Sequence, residues 1–134
     1  RDFYGHDDGI YGAARFAAIL ARREEPLSRW VSTLPRYENS PEIRVPCPDE
    51  AKFRVVAALA EEFARSRPVL TLDGARVSFA DGWGLVRASN TQPVLVLRFE
   101  GQTADALRRI ASEFRRALAA HPEASWPAGL GETG

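Results

Sequence analysis

One short stretch of this sequence concentrates hydrogen-bond donors at the junction of two apolar runs. Residues 83–101, WGLVRASNTQPVLVLRFEG, place Arg87, Ser89, Asn90 and Thr91 in a single corner. A phosphate is bound by a guanidinium fork, hydroxyl donors and backbone N–H groups arranged around a concavity, and this corner offers all three. The same residue types also close ordinary turns, and an arginine at a strand end commonly lies in solvent. Spacing alone leaves both interpretations open.

Two predicted strands must position this corner. Alternation in WGLVRA places Trp83, Leu85 and Arg87 on one side of the first strand, so that Arg87 stands at the strand end beside the corner. The second strand, from residue 94 to 100, returns along the first and carries Arg98. We therefore take Arg98 as a second candidate cation for the same anion.

Composition limits what the corner could recognise. The 134 residues are 45% hydrophobic and 10% aromatic, which is enough for one packed domain or for a domain with part of another. Basic and acidic residues number 18 each, so no global charge attracts nucleic acid or an anionic membrane. Recognition of an anion must therefore be local.

The cellular context follows from a few simple features. The single cysteine, Cys47, cannot form an internal disulfide, and no apolar run approaches the ~18 residues of a membrane span. We expect a cytoplasmic protein that binds neither nucleic acid nor membrane. The chain has no methionine and begins at Arg1, which favours a piece taken from a longer chain.

Helices are predicted where apolar residues recur at helical spacing behind a capping residue. The predicted helices are residues 6–25 with Asp7 or Asp8 as the N-cap, residues 49–66 with Asp49 as the N-cap, and a helix that begins near Thr103. The apolar stripe of the second is Phe53, Val56, Ala60 and Phe63, and that of the third is Leu107, Ile110, Ala111, Phe114 and Leu118.

The remaining segments predict strands. Asp73-Gly74 and Asp81-Gly82 lie between alternating runs and predict hairpins with primed turns, while Pro41 and Pro46 confine a short strand at 42–45 to a sheet edge or place the prolines at a strand end. Strand, helix, four-strand meander and helix indicate an α+β fold, a mostly antiparallel sheet covered on one face by two helices. We expect three parts: residues 1–34 as a helix and connector, 35–121 as the domain, and 122–134 as a flexible tail.

Four stretches, in order, resemble the α-D-phosphohexomutases, the phosphomannomutase/phosphoglucomutase enzymes. DGWGLVRASNTQPVLVLRFEG is similar to the phosphate-binding loop of their fourth domain, and RDFYGHDDGIYGAARFAAIL resembles the helix that ends their third domain. LPRYENSPEIRVPC resembles the segment leading into the fourth domain, and DALRRIASEFRRAL resembles the closing helix. The tripeptide Ser-Asn-Thr at 89–91 is similar to the one at this position in the bacterial phosphomannomutase/phosphoglucomutase branch.

This resemblance implies a fold like that of the TATA-binding protein and a role within a four-domain cytoplasmic enzyme. The family interconverts hexose 1- and 6-phosphates of mannose or glucose through a phosphoserine, Mg²⁺ and a bisphosphorylated sugar, with a glucose 1,6-bisphosphate type of activator. Carried over by position, the ligands of the non-reacting phosphate are Arg87, Ser89, Asn90 and Thr91, with Arg98 in support. No stretch here resembles the family's phosphoserine, metal or sugar-reading loops, so the resemblance implies that this piece holds no catalytic residue or metal ligand and is inactive without the remaining domains.

Alternatives stay open at this point. Phosphoglucosamine mutases share the architecture, and a sheet with one open face also resembles nucleic-acid or protein binding modules, although adjacent exposed aromatics are lacking. His6, Asp7 and Asp8 are better explained by helix capping than by a metal site. Cys47 has no obvious neighbouring base that would activate it as a nucleophile.

Overall fold

The computed structural model describes residue 5 and residues 7–127, and it divides the chain into two compact units, Arg1–Pro35 and Arg36–Gly134. The first unit contains helices α1 (Gly9–Ala21) and α2 (Leu27–Val31). The second contains β1 (Glu38–Asn39), β2 (Ile43–Pro46), α3 (Asp49–Ala64), β3 (Val69–Leu70), β4 (Ala75–Phe79), β5 (Gly82–Ala88), β6 (Val94–Gly101) and α4 (Ala104–Leu118). Of the helices in the described part, none combines the length and apolar character that crossing a bilayer requires.

The first unit is a helix followed by a short second helix. Asp8 caps α1, because its carboxylate Oδ1 accepts hydrogen bonds from the backbone N–H groups of Ile10 (2.9 Å) and Tyr11 (3.0 Å), which confirms one of the two predicted caps. Within this unit Phe16 stacks on Trp30, with ring centroids 6.2 Å apart. No residue of α1 is buried.

The second unit confirms the predicted α+β fold: an antiparallel sheet with the strand order β1–β6–β5–β4–β3. The short β2 also pairs with β6, so β1 and β2 follow each other along one sheet edge. Pro41 lies between them, and since proline has no N–H to donate, it interrupts the ladder there. The predicted strand at 42–45 is thus β2, and sequence patterning did not detect the two-residue β1.

The helices α3 and α4 pack against one face of the sheet. Val77, Val86 and Leu97 point toward them from three neighbouring strands and are fully buried. Phe114 of α4 lies at the centre, with its ring centroid 4.6 Å from that of Phe63 and 5.2 Å from that of Phe99. Burying such aromatic side chains removes much apolar surface from water and stabilises the fold. The opposite sheet face is left open.

The N-terminus of α3 differs from the prediction. Its N-cap is Pro48, which makes no side-chain cap bond, and Asp49 is the first helical residue. Of the predicted apolar stripe, Val56 and Phe63 are buried and Ala60 packs against the core, whereas Phe53 is 59% exposed. The buried residues of α3 are Ala51, Lys52, Val55, Val56, Leu59 and Phe63.

Both predicted hairpins are present, but their turns are not the primed ones. Gly74 has a φ of +87°, whereas no non-glycine residue of the described chain has a positive φ. Gly82 lies in β5 opposite Phe79, so residues 80 and 81 form the second turn. The Asp-Gly pairs therefore located the hairpins without fixing the turn type.

Part of the predicted flexible tail, residues 122–127, is folded against the domain. Ala124 is buried in the domain core, and the backbone N–H of Ser125 donates to the carbonyl of Pro46 at 3.1 Å. Glu123 forms an ion pair with Arg54 of α3. Residues 122–127 therefore belong to the folded unit, and they cover the junction of β2 and α3. The rest of the predicted tail, 128–134, lies outside the described residues.

Candidate functional site

The corner between β5 and β6 is a closed loop held by its own backbone. The N–H of Ser89 donates to the carbonyl of Val94 at 3.0 Å, and the N–H of Val94 donates to the carbonyl of Gln92 at 2.8 Å. The Ser89 hydroxyl accepts from the N–H groups of Thr91 (3.4 Å) and Gln92 (3.2 Å). This serine therefore folds the loop around its own side chain, which is typical of serine in turns.

Two loop side chains take no part in these bonds. Asn90 and Thr91 are exposed, and among residues 7–127 their side chains make no hydrogen bond. An amide and a hydroxyl with no partner in the described chain remain available to a ligand. Sequence reasoning proposed both residues, and the structure places both on the loop surface.

Arg87 stands at the end of β5 beside this loop, on the open face of the sheet. Its side chain is 44% exposed, and Nη1 lies 3.4 Å from Oδ2 of Asp73. Asp73 belongs to the β3–β4 loop, which approaches closely because Gly74 follows: a Cβ on Gly74 would lie 2.7 Å from the Cβ of Arg87. An exposed ion pair of this kind contributes about 0–1 kcal/mol, so an incoming anion would displace the Asp73 carboxylate at little cost.

Arg98 lies on the same face but further from the loop. It pairs in register with Leu85, while Arg87 pairs with Val96, which makes the two arginines diagonal neighbours about 7–8 Å apart. Nη2 of Arg98 donates to Oε2 of Glu42 at 2.9 Å. Hydrogen bonds from Arg98 and then from Arg44 lower the pKa of Glu42. Arg98 is thus tied to a carboxylate at the sheet edge.

Two cations that sequence reasoning missed do contact the loop. Arg44 of β2 donates from Nη1 to Oε1 of Gln92 at 2.8 Å. Lys52 of α3 donates from Nζ to the carbonyl of Gln92 at 3.2 Å and to Asp49 at 2.6 Å. The contacts of Arg44 and Lys52 with Gln92 join residues at least 40 positions apart in the sequence. The one local sign of an ordered Lys52 side chain was its position three residues after Asp49 at the start of a helix, a spacing that favours an ion pair.

An open groove of about 430 Å³ runs beside the loop on the helix side. Its lining includes Ala88 and Asn90 from the end of β5 and the corner, and Asp73 and Gly74 from the β3–β4 loop. The α3 residues that line it are Phe53, Val56, Ala57, Ala60 and Glu61. A concavity therefore adjoins the loop, with polar groups at its rim and apolar side chains along the helix.

The other residues that sequence analysis considered are His6 with its two aspartates, Cys47 and Trp83. His6 lies outside the described residues, and within the described ones no three His, Cys, Asp or Glu side chains are grouped to hold a metal ion. Cys47 is buried, and this burial raises the pKa of its thiol, which disfavours the reactive thiolate. Trp83 is the one aromatic side chain on the open face of the described strands, and its ring is covered by Arg76 at 4.7 Å.

Comparison with known proteins gives a consistent result. The family model "Phosphoglucomutase/phosphomannomutase, C-terminal domain" matches residues 42–117. A Phosphomannomutase/phosphoglucomutase of Pseudomonas putida is 45% identical over 127 residues, covering 93% of this chain and 27% of the relative. A probable phosphoglucosamine mutase of Methanothermobacter thermautotrophicus is 40% identical over 114 residues, covering 81% of this chain and 25% of the relative.

A solved structure agrees at the level of the fold. The crystal structure of a Phosphoglucomutase/phosphomannomutase family protein from Burkholderia thailandensis superposes with a TM-score of 0.73 at 40% identity. The match covers 93% of this chain and 26% of that one. The chain therefore spans about a quarter of the length of the relatives it matches.

Proposed function

The chain belongs to the family of phosphoglucomutase/phosphomannomutase C-terminal domains, and from this premise we propose that it grips the non-reacting phosphate of a hexose phosphate. The ligands are Arg87, Ser89, Asn90 and Thr91, with Arg98 as a second cation. It would act as one domain of a longer cytoplasmic phosphomutase that interconverts hexose 1- and 6-phosphates of glucose or mannose.

The position of Arg87 beside the loop is the observation that carries this proposal. Its guanidinium has one weak, exposed partner, Asp73, and Asn90 and Thr91, three and four positions further along the chain, make no side-chain hydrogen bond within residues 7–127. A phosphate at this corner would receive a charge-assisted fork from Arg87 and neutral donors from the loop.

The physical role of such a grip is to use binding energy remote from the reacting atoms. A phosphate held at one end of the sugar orients the other end, and closing the domain over it would exclude water from the cleft. The reacting groups would belong to the other domains: a phosphoserine, and Mg²⁺ with its ligands, for which the described residues offer no cluster. A bisphosphorylated sugar of the glucose 1,6-bisphosphate type would then serve as intermediate and activator.

The proposal is tested by titrating the chain with glucose 1-phosphate, with inorganic phosphate and with single-stranded RNA at constant ionic strength. NMR detection suits the weak binding expected when one wall of a site is separated from the others. Both phosphate compounds should shift the amide signals of residues 87–92 and leave those of α4 unchanged. RNA binding with no response to either phosphate compound would refute the proposal and favour a nucleic-acid binding module.

A second candidate is a phosphoglucosamine mutase, which the 40% identical relative of that name favours. The phosphate grip would be the same in both enzymes, because it touches the phosphate and not the sugar. The discriminating measurement is the turnover of glucosamine 1-phosphate against glucose and mannose 1-phosphates by a full-length enzyme that contains this domain.

A further inference from the structure

Lys52 is the one buried charged side chain among the described residues, at 4% exposure. Burying an ammonium group is costly unless hydrogen-bond partners replace its water. Its partners are the Asp49 carboxylate, 2.6 Å away, and the carbonyl of Gln92, 3.2 Å away. Asp49 is 69% exposed at the side chain, so of the two partners the Gln92 carbonyl is the one contributed by the loop.

Gln92 is the point where the loop is held from three directions. Its carbonyl accepts from Lys52 and from the N–H of Val94, and its side-chain Oε1 accepts from Arg44. Its N–H donates to the hydroxyl of Ser89 at 3.2 Å. A short chain of hydrogen bonds therefore runs from α3 through one residue to a proposed phosphate ligand.

We propose that Lys52 is a positioning residue for the phosphate loop and acts through Gln92. Its Nζ fixes the carbonyl of Gln92, which fixes the N–H that holds the Ser89 hydroxyl in place. Lys52 is too deeply buried to touch a ligand on the loop surface, with 5% of its side chain exposed. A loop fixed before binding avoids the entropic cost of ordering it when the phosphate arrives. This inference rests on the proposed function.

The variant that tests it is Lys52→Met, which keeps a long apolar stem and removes the charge. We expect it to fold, because Asp49 remains in water and Val94 still donates to the Gln92 carbonyl. Its unfolding midpoint should stay within about 5 °C of wild type. Its affinity for inorganic phosphate and glucose 1-phosphate should fall about tenfold, as the loss of one charge-assisted bond implies.

The matched control is Arg54→Met, two positions further along the same helix. Arg54 carries the same charge, but its partner is Glu123 and its side chain is 66% exposed. We expect this variant to bind phosphate as the wild type does. A general loss of positive charge would weaken both variants alike, whereas a positioning role weakens only Lys52→Met.

A double-mutant cycle with Ser89→Ala separates positioning from simple support of the helix. If Lys52 acts through Ser89, the two losses share one cause, and Lys52→Met with Ser89→Ala should bind about as weakly as the worse single variant. The proposal would be overturned if the fold-loss of the double variant equalled the product of the two single fold-losses. It would also be overturned if Lys52→Met bound phosphate within about twofold of wild type. If Lys52→Met does not fold, the phosphate affinity of Arg44→Met is measured instead, because Arg44 also holds Gln92. Unchanged affinity in that variant would show that holding Gln92 in place does not affect phosphate binding.

Failure of the proposed function gives a different result. In that case the wild-type chain itself would respond to neither inorganic phosphate nor glucose 1-phosphate, and the positioning role would fall with it. A wild type that binds while Lys52→Met binds equally well would refute the positioning role alone.

Discussion

Replacing Arg87 by alanine should separate ligand binding from stability. The side chain is 44% exposed and makes one ion pair, with Asp73, at 3.4 Å. An exposed pair of this length contributes about 0–1 kcal/mol to folding, so the free energy of unfolding should change by less than about 1 kcal/mol. Core packing is untouched, because Arg87 lies on the open face of the sheet.

Binding should respond far more strongly than folding. A hydrogen bond to a charged group contributes about 1.5–3 kcal/mol, and about 1.4 kcal/mol corresponds to a tenfold change in affinity. Arg87→Ala should therefore weaken binding of glucose 1-phosphate by about 10- to 150-fold. The measurements are NMR titration of the chain and urea unfolding of the same sample. In a full-length enzyme the loss should appear in kcat/KM for the phosphosugar.

The matched control for Arg87→Ala is Arg108→Ala on α4. Arg108 also forms one exposed ion pair, with Asp105, at 2.5 Å, so its removal changes the net charge and the number of surface pairs equally. We expect unchanged binding in this control. If both variants lose affinity by the same factor, the effect is general electrostatics, and if neither loses more than about twofold, Arg87 does not grip the phosphate.

Three further predictions concern the scaffold. Gly84→Ala should destabilise the domain by about 1–3 kcal/mol in urea unfolding, because the new Cβ would lie within 2.8 Å of the Phe114 ring, closer than real Cβ atoms come; wild-type stability would show that the strand has room. Phe114→Ala should cost about 3–5 kcal/mol, and a loss below about 1 kcal/mol would contradict its place at the centre of the core. Hydrogen bonds from Arg98 and then Arg44 lower the pKa of Glu42 below its ordinary value of 4.5. The ionised carboxylate therefore stabilises the fold at a pH above 4.5, and this stabilisation is lost as the pH falls through the lowered pKa of the folded state. Glu42→Gln should thus flatten the acid side of the stability-versus-pH curve, and an unchanged curve would refute this.

Local chemistry made the helices and the corner predictable. Asp8 caps α1 through bonds to residues two and three positions away, and Thr103 caps α4 in the same manner. The loop residues 89–91 were found because the turn chemistry of serine and asparagine acts within four residues. Interactions of this range are encoded in short sequence windows, so the sequence alone places them.

Contacts between distant segments were beyond that reach. The clamp on Gln92 joins it to Lys52 and Arg44, 40 and 48 positions away, and Glu42 captures Arg98 across 56 positions. From sequence alone a lysine on a helix is predicted to be exposed to solvent, and the Gln92 carbonyl that buries Lys52 comes from a distant segment. The packing of Ala124 into the core is a similar case, since a segment rich in proline and alanine carries no periodic signal.

The loop between β5 and β6 shows which features the sequence determined and which the tertiary structure determined. The sequence by itself determined that a donor-rich turn lies between two strands and that Arg87 ends the first of them, because turn preference and strand alternation are local. Only the tertiary structure decided that Asp73 is the ion-pair partner of Arg87 and that the Lys52 ammonium donates to the carbonyl of Gln92. Those partners depend on strand order and helix placement, which are set by burial of the whole apolar core.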